Sequence, residues 1–451
     1  MAAPDSSSGA FALLNCVKCR LSGFLICHFI YIARVNNLIS MMNNIFFLCI
    51  IIWFLPACSD KNEQLMKQAE RIHAKTLTVD THCDTPMDMV RSDFNLGERH
   101  TDGCIDFPRM KEGGLDAEFF AVFTSQGPRN DSAYNEVYKS AIKVLGAIHM
   151  NVANNSGVAE IAYTPEDANR LKRSGKLSAF IGIENGYPIG RDISRIKEFF
   201  NQGARYITLA HTRNNDICDS STDSNGPEHD GLSSFGEKVV KEMNRVGMMI
   251  DVSHISDKAF YDVIELSEAP IIASHSSCRA LCETPRNLSD DMLLSLKKNG
   301  GVIQICILSE YIKTPDPNPE LESKLRELKK KYGDYGALSD DKKKEARTEY
   351  RAIQQKYEKL ATVKDVVDHI DHVVQVIGVD HVGIGTDFDG GGGVEGCKTV
   401  AEMKNITIEL LHRGYTKSEI AKIWGGNIMR VFKEVDLKKE TSVSKINYSI
   451  S

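Results

Sequence analysis

Short apolar runs recur along this chain, and each of them ends at a polar residue or a loop. Most of the runs lack strict alternation of apolar and polar positions, which is typical of parallel strands buried on both faces. Eight runs fit this description: Leu77–Asp80, Ala117–Phe123, Ser178–Ile183, Tyr206–Ala210, Met248–Val252, Pro270–Ser274, Gly301–Leu308 and Val382–Thr386. Helix-like patterns lie between them. The alternation predicts a parallel sheet, and eight repeats predict an α/β fold closed into a (β/α)8 barrel of the TIM type.

The helix-like segments have apolar residues spaced three and four positions apart. The predicted helices are Asp131–Asn154, Ile193–Gln202, Phe235–Val246, Asp257–Leu266, Asp290–Lys298 and Val363–Ile377. The last of them contains Asp368–His372, whose two histidines resemble a metal-binding pair. Because this helix precedes a strand instead of following one, we place these histidines at the opposite end of the barrel and predict that they lie on the helix surface.

Residues 320–357 depart from the alternation of strands and helices. They are rich in Lys, Glu and Arg, and they contain few apolar residues. Leu338–Asp341 interrupts the segment with a sequence typical of a helix cap. We interpret the segment as a charged helical hairpin, exposed to solvent and inserted after the seventh predicted strand.

The N-terminal segment predicts export. Ile45–Ala57 is almost wholly apolar, but its thirteen residues fall short of the roughly 20 that a membrane-spanning helix needs. They suit the apolar region of a signal peptide, and the small residue before Cys58 resembles a bacterial lipoprotein cleavage site. We therefore predict a leader over residues 1–58, with Met41 or Met42 as alternative starts. A lipid on Cys58 would hold the protein on the periplasmic or outer face of a bacterial envelope.

The alternative for this segment is a permanent membrane anchor that uses both Leu21–Ala33 and Ile45–Ala57. Beyond the leader we assign residues 66–435 to the barrel, with its insertion at 320–357, and residues 436–451 to a C-terminal tail. The 451 residues exceed the roughly 250 of a plain barrel, which leaves room for these additions. A net charge of −6 without a basic stripe argues against nucleic acid as a partner.

Residues with metal-binding side chains follow the predicted strands. They are His82, Asp84, Glu184, His211, His254, His275 and Asp387. The C-terminal ends of barrel strands meet on one face, which carries the active sites of this fold, so these residues would share one pocket. Histidines and carboxylates of this number suit two zinc-like ions that share a carboxylate. The sequence therefore predicts a metal-dependent hydrolase.

The spacing of the residues suggests how the ions are divided. His82 and Asp84 stand two positions apart in an extended segment, so that both side chains face one ion. Glu184 can bridge two cations roughly 3.5–4 Å apart, although a buried Glu–Arg pair is the alternative. His254 and His275 follow successive strands and would supply neutral nitrogens to the second ion, although a single histidine is more often structural.

Asp387 follows the last predicted strand, which lies beside the first strand in a closed barrel. It is placed to accept a proton from an attacking water molecule. Asp389 is the alternative base, two residues further into a glycine-rich loop. Cys83 lies between two proposed ligands but faces the other side of the strand, and we interpret it as a packing residue.

The order of these motifs resembles one known family over residues 66–435. The matching segments are Asp80–Asp84, Gly182–Gly186, Arg205–His211, Asp251–His254, Ser274–Ser277, Arg286–Asn287, Gly385–Gly390 and Trp424–Asn427. In these segments the chain is similar to the membrane dipeptidase (renal dipeptidase) family of zinc peptidases. The resemblance implies a TIM-like barrel of the metal-dependent hydrolase type and an enzyme that hydrolyses dipeptides with two zinc ions per chain.

The resemblance also assigns the five metal ligands. It implies that His82 and Asp84 hold one zinc, that His254 and His275 hold the other, and that Glu184 bridges the two ions.

The same resemblance assigns the residues that meet the substrate. His211 would polarise the substrate carbonyl or stabilise the oxyanion. Arg286 would clamp the C-terminal carboxylate of the dipeptide, for which its planar guanidinium is suited. Asp387 would handle protons. The family tolerates D-residues at the C-terminal position of dipeptides. The expected partners are small dipeptides and, through the lipid anchor, a membrane, and a homodimer is a further candidate assembly.

Two other functions fit parts of the sequence. One is a barrel amidohydrolase that acts on a non-peptide amide. Many such enzymes bridge their metals with a modified lysine after the fourth strand, where this chain has Ala210 and His211. The other is a non-catalytic lipoprotein that binds peptides, which would be expected to have lost some of the ligands. All of the expected ligand positions are occupied here, which favours the dipeptidase.

Overall fold

Residues 63–90, 94–333 and 338–447 are described by the computed structural model of this chain. The chain divides into two units, residues 1–67 and 68–451, and the barrel belongs to the second. The predicted leader and its lipidation residue Cys58 lie outside the described residues. Within the described ranges, no helix is both long enough and apolar enough to cross a membrane.

All strand pairs of the sheet are parallel. The strands are β1 (Val79–Cys83), β2 (Ala117–Phe123), β3 (Ala159–Ile161), β4 (Leu177–Glu184), β5 (Ala204–Thr208), β6 (Met249–Asp251), β7 (Ile272–Ser276), β8 (Val302–Ile305) and β9 (Val382–Ile384). They are ordered β1-β2-β4-β5-β6-β7-β8-β9, and β3 pairs with β4 outside this path. The eight predicted strands correspond to the eight strands of this path. The short strand β3 was not predicted.

The residues that follow β1 and β9 close the barrel. The backbone amide of Asp84 donates to the carbonyl of Phe388 at 2.8 Å, and the amide of Asp387 donates to the carbonyl of His82 at 3.0 Å. Cys83 and Phe388 form an isolated parallel bridge between the same two segments. The predicted barrel fold is therefore confirmed, with a nearly closed ring of eight strands.

Helices connect the strands. They are α1 (63–75), α2 (Pro86–Met89), α3 (Phe107–Gly113), α4 (Asp131–Asn154), α5 (Pro165–Arg173), α6 (Ser194–Asn201), α7 (Ser234–Val246), α8 (Asp257–Leu266), α9 (Asp290–Asn299), α10 (Ser309–Ile312), α11 (Pro319–Tyr332), α12 (Asp340–Tyr357), α13 (Val363–Ile377), α14 (Lys404–His412), α15 (Lys417–Ala421) and α16 (Asn427–Asn447). Serine side chains cap α7, α8 and α9 by accepting a backbone N–H of the first turn, which explains where these helices begin.

The N-terminal end of the barrel is filled with apolar side chains. The first residues of β1, β2, β6, β7 and β8 belong to one buried cluster, together with apolar residues of α16. The rings of Phe180 on β4 and Phe432 on α16 meet edge to face, with their centroids 5.8 Å apart. α16 therefore covers this end of the barrel. The polar side chains at the C-terminal ends of the strands lie at the other end.

The charged segment after β8 contains the helices α11 and α12. They are joined by side-chain contacts of Glu349 with Lys331 and with Tyr332, whose hydroxyl lies 3.1 Å from the carboxylate. At the base of the pair, the amide of Asn318 donates to the carbonyl of Tyr357 at 2.6 Å. None of the α11 side chains is buried.

The predicted surface position of the Asp368–His372 histidines is wrong for one of them. His369 is 1% exposed. Its Nδ1 accepts from the backbone amide of Cys278 at 3.0 Å, and its Nε2 lies 2.8 Å from the carbonyl of Ile312. His369 therefore ties the segments that follow β7 and β8, at the C-terminal end of the barrel, to α13. His372 does lie towards the outside, where it contacts Asp290 at 2.7 Å.

Candidate metal centre and active site

The predicted ligands converge at the C-terminal ends of the strands. His82 is the second-last residue of β1 and Asp84 follows this strand directly, Glu184 is the last residue of β4, and His275 is the second-last residue of β7. His254 and Asp387 each follow their strand by three residues. The ligand atoms form three overlapping groups, each within 4.8 Å: His82, Glu184 and His275; Glu184, His211 and His254; His82, Asp84 and Asp387.

The two oxygens of Glu184 face different partners. Oε2 lies 3.6 Å from Nε2 of His82. Oε1 lies 3.2 Å from Nε2 of His254 and 3.4 Å from Nε2 of His275. On the first side, Nε2 of His82 is also 3.7 Å from Oδ2 of Asp84. This arrangement fits a carboxylate that bridges two cations, one on each side.

The histidine nitrogens themselves fit bound cations. Nε2 of His254 and Nε2 of His275 lie 2.8 Å apart, and Nε2 of His82 has no hydrogen-bond partner among the described residues. Two imidazole nitrogens that face each other at this distance cannot both carry a proton, whereas two lone pairs can share one cation. The donor set of His nitrogens and carboxylate oxygens is the one that zinc prefers.

Neighbouring side chains fix the orientation of two histidines. The hydroxyl of Tyr206 donates to the carbonyl of Thr81 at 3.2 Å and lies 2.9 Å from Nδ1 of His82. Nδ1 of His82 therefore donates to the phenol oxygen, which leaves the lone pair of Nε2 directed at the metal side. A metal-binding histidine is commonly held by such a hydrogen bond at its second nitrogen.

His275 is held in the same way by a chain of two residues. The hydroxyl of Ser274 donates to Asp251 Oδ2 at 2.6 Å and lies 2.8 Å from Nδ1 of His275. Asp251 also accepts from the hydroxyl of Thr208 and from the amide of Ser253. Because Asp251 is a fixed acceptor, the Ser274 oxygen accepts the proton of His275 Nδ1 and leaves Nε2 free for a cation.

Four residues of the site face have positive φ although they are not glycine. They are Asn185 (75°), His254 (72°), Asp387 (61°) and Asp389 (66°). The left-handed region is uncommon for such residues and is maintained only where the surrounding structure stabilises it. This backbone conformation turns the side chain of His254, after β6, and that of Asp387, after β9, towards the shared pocket.

A glycine makes room for two of the carboxylates. A Cβ atom on Gly390 would lie 2.2 Å from Oδ2 of Asp84 and 2.3 Å from Oδ1 of Asp387. Any side chain here would displace both groups. The glycine-rich loop after β9 therefore permits the close approach of its backbone to the site.

Asp389, the alternative base, does not face the ligands. Its Oδ2 accepts from the hydroxyl of Thr85 at 2.7 Å, and its Oδ1 accepts from the amide of Cys104 at 2.7 Å. These contacts tie the loop after β9 to the segments after β1. Asp387, in contrast, lies with Oδ1 4.0 Å from Nε2 of His82.

Burial sets the protonation of the site. It lowers the pKa of His254 well below its usual value and that of His275 to about 3, so both imidazoles are neutral and available as ligands. Burial raises the pKa of Asp387 to about 8, and the charges of Asp84 and Glu184 add to this effect while His82 opposes it. Bound cations would lower the pKa of this carboxyl because they favour its charged form.

His211 lies on the open side of the ligands. Its Nε2 is 3.7 Å from Oε1 of Glu184, and its ring meets Phe123 edge to face at 4.8 Å between centroids. Burial and the charge of Arg286 lower its pKa. A neutral His211 can therefore donate one N–H towards a substrate oxygen.

Arg286 is buried without an acidic partner. It is 4% exposed, and among the described residues no carboxylate lies within 4.0 Å of its guanidinium. Nη2 donates to the carbonyl of His275 at 3.0 Å, Nη1 donates to the hydroxyl of Ser276 at 3.3 Å, and Nε has no partner among these residues. The guanidinium also lies over the ring of Tyr311 at 5.1 Å. A buried cation without a counter-charge is costly, which marks a site for an anionic ligand.

Several residues of the site were not predicted from the sequence. Tyr206, Asp251 and Ser274 orient the histidines, and Tyr311 lies against Arg286. Asp251 had a usable signal, since an acidic residue inside an apolar strand needs a buried partner. Tyr206 had none, because an aromatic residue in a strand is ordinarily part of the core.

The chain matches the model of one protein family over residues 66–445. That family is described as Membrane dipeptidase (Peptidase family M19). A curated relative, dipeptidase tcpJ of Claviceps purpurea, is 33% identical over 362 residues, which cover 78% of this chain and 75% of the relative.

Solved structures share the fold. The crystal structure of the probable dipeptidase PvdM from Pseudomonas aeruginosa superposes with a TM-score of 0.73 at 32% identity, covering 83% of this chain and 99% of that one. A metallopeptidase from Rhodobacter sphaeroides, solved with a phosphinate mimic of the dipeptide L-Ala-D-Ala, gives a TM-score of 0.65 at 22% identity, covering 80% of this chain and 99% of that one.

Proposed function

This chain belongs to the membrane dipeptidase family of metallopeptidases, and on that basis we propose how its site hydrolyses dipeptides. His82 and Asp84 would hold one zinc ion, His254 and His275 would hold the other, and Glu184 would bridge them. The facing nitrogens and the two-sided Glu184 carboxylate support this division. Zinc bound there supplies Lewis-acid polarisation of the peptide carbonyl and a nucleophile of lowered pKa.

The observation that carries the proposal is the buried, unpaired guanidinium of Arg286. It would bind the C-terminal carboxylate of a dipeptide through two parallel hydrogen bonds. A fixed cation beside the metal ligands requires a free carboxylate one residue beyond the scissile bond. Longer peptides would place their carboxylate elsewhere, so the enzyme would select dipeptides.

The remaining residues would act on the reacting atoms. His211 would donate its N–H to the oxygen of the tetrahedral intermediate, a contribution worth about 3 kcal/mol when the donor is preorganised. Asp387 would accept the proton of the attacking water molecule and deliver it to the leaving amine, which its position beside His82 supports. Burial raises the pKa of this carboxyl and bound cations would lower it, so the two effects on proton exchange oppose each other.

Dipeptides and dipeptide amides distinguish the role of Arg286 from a structural one. Wild type should hydrolyse a free dipeptide much faster than the corresponding amide. Arg286→Lys should lower kcat/KM for the dipeptide by about 100-fold, because an ammonium cannot make the two parallel hydrogen bonds and a hydrogen bond to a charged group is worth roughly 1.5–3 kcal/mol. It should leave zinc content and turnover of the amide nearly unchanged.

The matched control is Arg279→Lys, because Arg279 forms an ion pair with Asp257 near the surface. That variant should behave like wild type. Equal turnover of a dipeptide and its amide by wild type would remove Arg286 from the mechanism.

We also propose that the enzyme accepts a D-residue at the C-terminal position. The family resemblance supports this, and a protein of the same fold binds a mimic of L-Ala-D-Ala. Comparison of Ala-Ala substrates with L- and D-residues at the second position, by kcat/KM, tests the proposal. The absence of measurable hydrolysis of the substrate with a D-residue, under conditions in which the L-form is hydrolysed, would contradict it.

Export and lipidation at Cys58 remain part of the proposal. They are supported by the apolar run 45–57 and the small residue before Cys58. Mass spectrometry of the mature protein should find a lipid on Cys58 as the first residue, and Cys58→Ala should abolish it. An intact leader on the wild-type protein would contradict this assignment.

A further inference from the structure

The two oxygens of the Asp387 carboxylate have different surroundings. Oδ1 faces the metal side, 4.0 Å from Nε2 of His82. Oδ2 faces away from it, towards the thiol of Cys306, with 3.8 Å between the sulfur and the oxygen. Cys306 follows β8 directly and is fully buried.

The thiol of Cys306 has an acceptor within reach. Its sulfur is placed to donate to Oδ2 of Asp387. Burial and the adjacent Asp387 charge raise the pKa of the Cys306 thiol well above its usual value, so that the proton stays on the sulfur.

The backbone at Cys306 is fixed by the strand that also carries a metal ligand. Its amide donates to the carbonyl of Ser276 at 3.0 Å, and its carbonyl accepts from the hydroxyl of Ser277 at 3.1 Å. The hydroxyl of Ser276 in turn accepts from Arg286. The backbone that carries the thiol is therefore tied to the end of β7.

Other buried cysteines use their thiols differently. Cys278 donates to the carbonyl of His369 at 3.5 Å, and Cys282 donates to the carbonyl of Glu310 at 3.3 Å. Both contacts join backbone segments and do not involve a side chain of the site. Cys306 directs its thiol at a carboxylate that the mechanism uses.

We propose that Cys306 is a positioning residue for Asp387, holding Oδ2 by a thiol hydrogen bond so that Oδ1 is presented to the reacting atoms. Hydrogen bonds hold the backbone of Asp387 at a positive φ, but they do not set the rotation of its carboxyl group about the Cβ–Cγ bond. A donor at Oδ2 selects one rotation of the carboxyl group. This inference rests on the proton-handling role proposed above for Asp387.

Three substitutions separate the hydrogen bond from packing. Cys306→Ser keeps a donor of similar size, Cys306→Val keeps apolar bulk without a donor, and Cys306→Ala removes both. We expect kcat to fall by about tenfold in the Val and Ala variants, with KM changed less than about twofold, because a hydrogen bond to a charged group is lost. Cys306→Ser should stay within about threefold of wild type. Zinc content and Tm verify that each variant is folded and loaded.

A packing role predicts the opposite order, with Val active and Ser impaired, and that order would overturn the proposal. Wild-type kcat in both Val and Ala variants would overturn it as well.

Infrared spectroscopy tests the contact without relying on activity. The S–H stretching band of Cys306 is isolated as the difference between wild type and Cys306→Val, with and without zinc. We expect this band at a lower frequency than that of a free thiol. In an Asp387→Ala background, the difference between the proteins with and without Cys306→Val should show the band at a higher frequency. An identical band in the two backgrounds would refute the contact. If instead wild type hydrolysed no dipeptide, the proposed function would fail while the infrared result on Cys306 would stand.

Discussion

The phenol of Tyr206 and the imidazole of His82 are joined by a 2.9 Å hydrogen bond across the interior of the barrel. Tyr206 lies on β5 and is fully buried, whereas His82 lies at the end of β1, 124 residues earlier in the chain. The bond fixes which imidazole nitrogen is available to a metal ion. The first cation site therefore depends on a strand that supplies no ligand to it.

Tyr206→Phe should weaken zinc binding at the His82 side. Loss of such an outer hydrogen bond typically costs about 10–100-fold in metal affinity. Activity measured against free zinc in a chelator-buffered series should shift to higher zinc concentration by that factor. Tyr163→Phe, at a position 40% exposed, is the control and should not shift the curve. Coinciding curves for Tyr206→Phe and wild type would show that the bond does not orient His82.

Glu184→Gln should deplete both zinc sites, because the substitution removes the charge that faces both groups of nitrogens. His254→Ala removes a ligand from one side only, so that variant should retain about one ion. Elemental analysis of the purified variants measures this directly. Two retained ions in Glu184→Gln would exclude a bridging role for the carboxylate.

Gly390→Ala should abolish most activity while the barrel stays folded. The added Cβ would meet carboxylate oxygens of Asp84 and Asp387 at distances that no real contact shows. Gly146→Ala on α4 is the matched control, since nothing lies within 4 Å of its added Cβ. It should leave activity unchanged and raise stability by about 0.5–1 kcal/mol, the usual gain for alanine inside a helix. Full activity of Gly390→Ala would show that the site tolerates displacement of both carboxylates.

Acid should destabilise the fold partly through His73. Burial, together with the charges of Lys404 and Lys172, lowers its pKa from 6.5 to about 4, against the opposing effect of the Gly114 carbonyl. The unfolded chain therefore binds an extra proton between these two values, so stability is complete above pH 6.5 and falls as the pH drops to 4. The loss attributable to His73 should reach about 3 kcal/mol.

Urea unfolding of the zinc-free protein at pH 7 and pH 4.5 measures this loss. His73→Gln should lose less stability between the two pH values than wild type does. His412→Gln, at an exposed position at the end of α14, is the control and should lose as much as wild type. Identical pH dependence in His73→Gln would assign the acid sensitivity to other groups.

The sequence was sufficient to predict the barrel strands and the residues at their ends. Continuous apolar runs identify strands that are buried on both faces, and the polar residue after each run falls on the common face of the barrel. The strand β3 was missed because it has only three residues, Ala159–Ile161, and Glu160 interrupts any apolar pattern.

The pattern of apolar and polar positions could not predict which residues of distant segments contact one another. Tyr206 looks like an ordinary core residue in the sequence, and its partner His82 lies across the barrel on β1, a strand that does not pair with β5. His369 was expected on the helix surface because its helix precedes a strand, yet the segments around Cys278 and Ile312 cover it. Cys306 falls inside the predicted strand Gly301–Leu308, but its acceptor Asp387 becomes visible only once β8 and β9 are paired.

The hydrogen bond between Asn318 and Tyr357 closes the base of the helical pair across 39 residues of sequence. The chain thus leaves and re-enters the barrel wall at nearly the same point, between α10 and α13. Lengthening or trimming the pair would leave the positions of these two anchor points unchanged, and the entropic cost of a longer closed loop grows only slowly with its length. This part of the gene can therefore accumulate insertions and deletions while catalysis is maintained, and it is a natural position at which to splice a reporter or affinity domain into the enzyme.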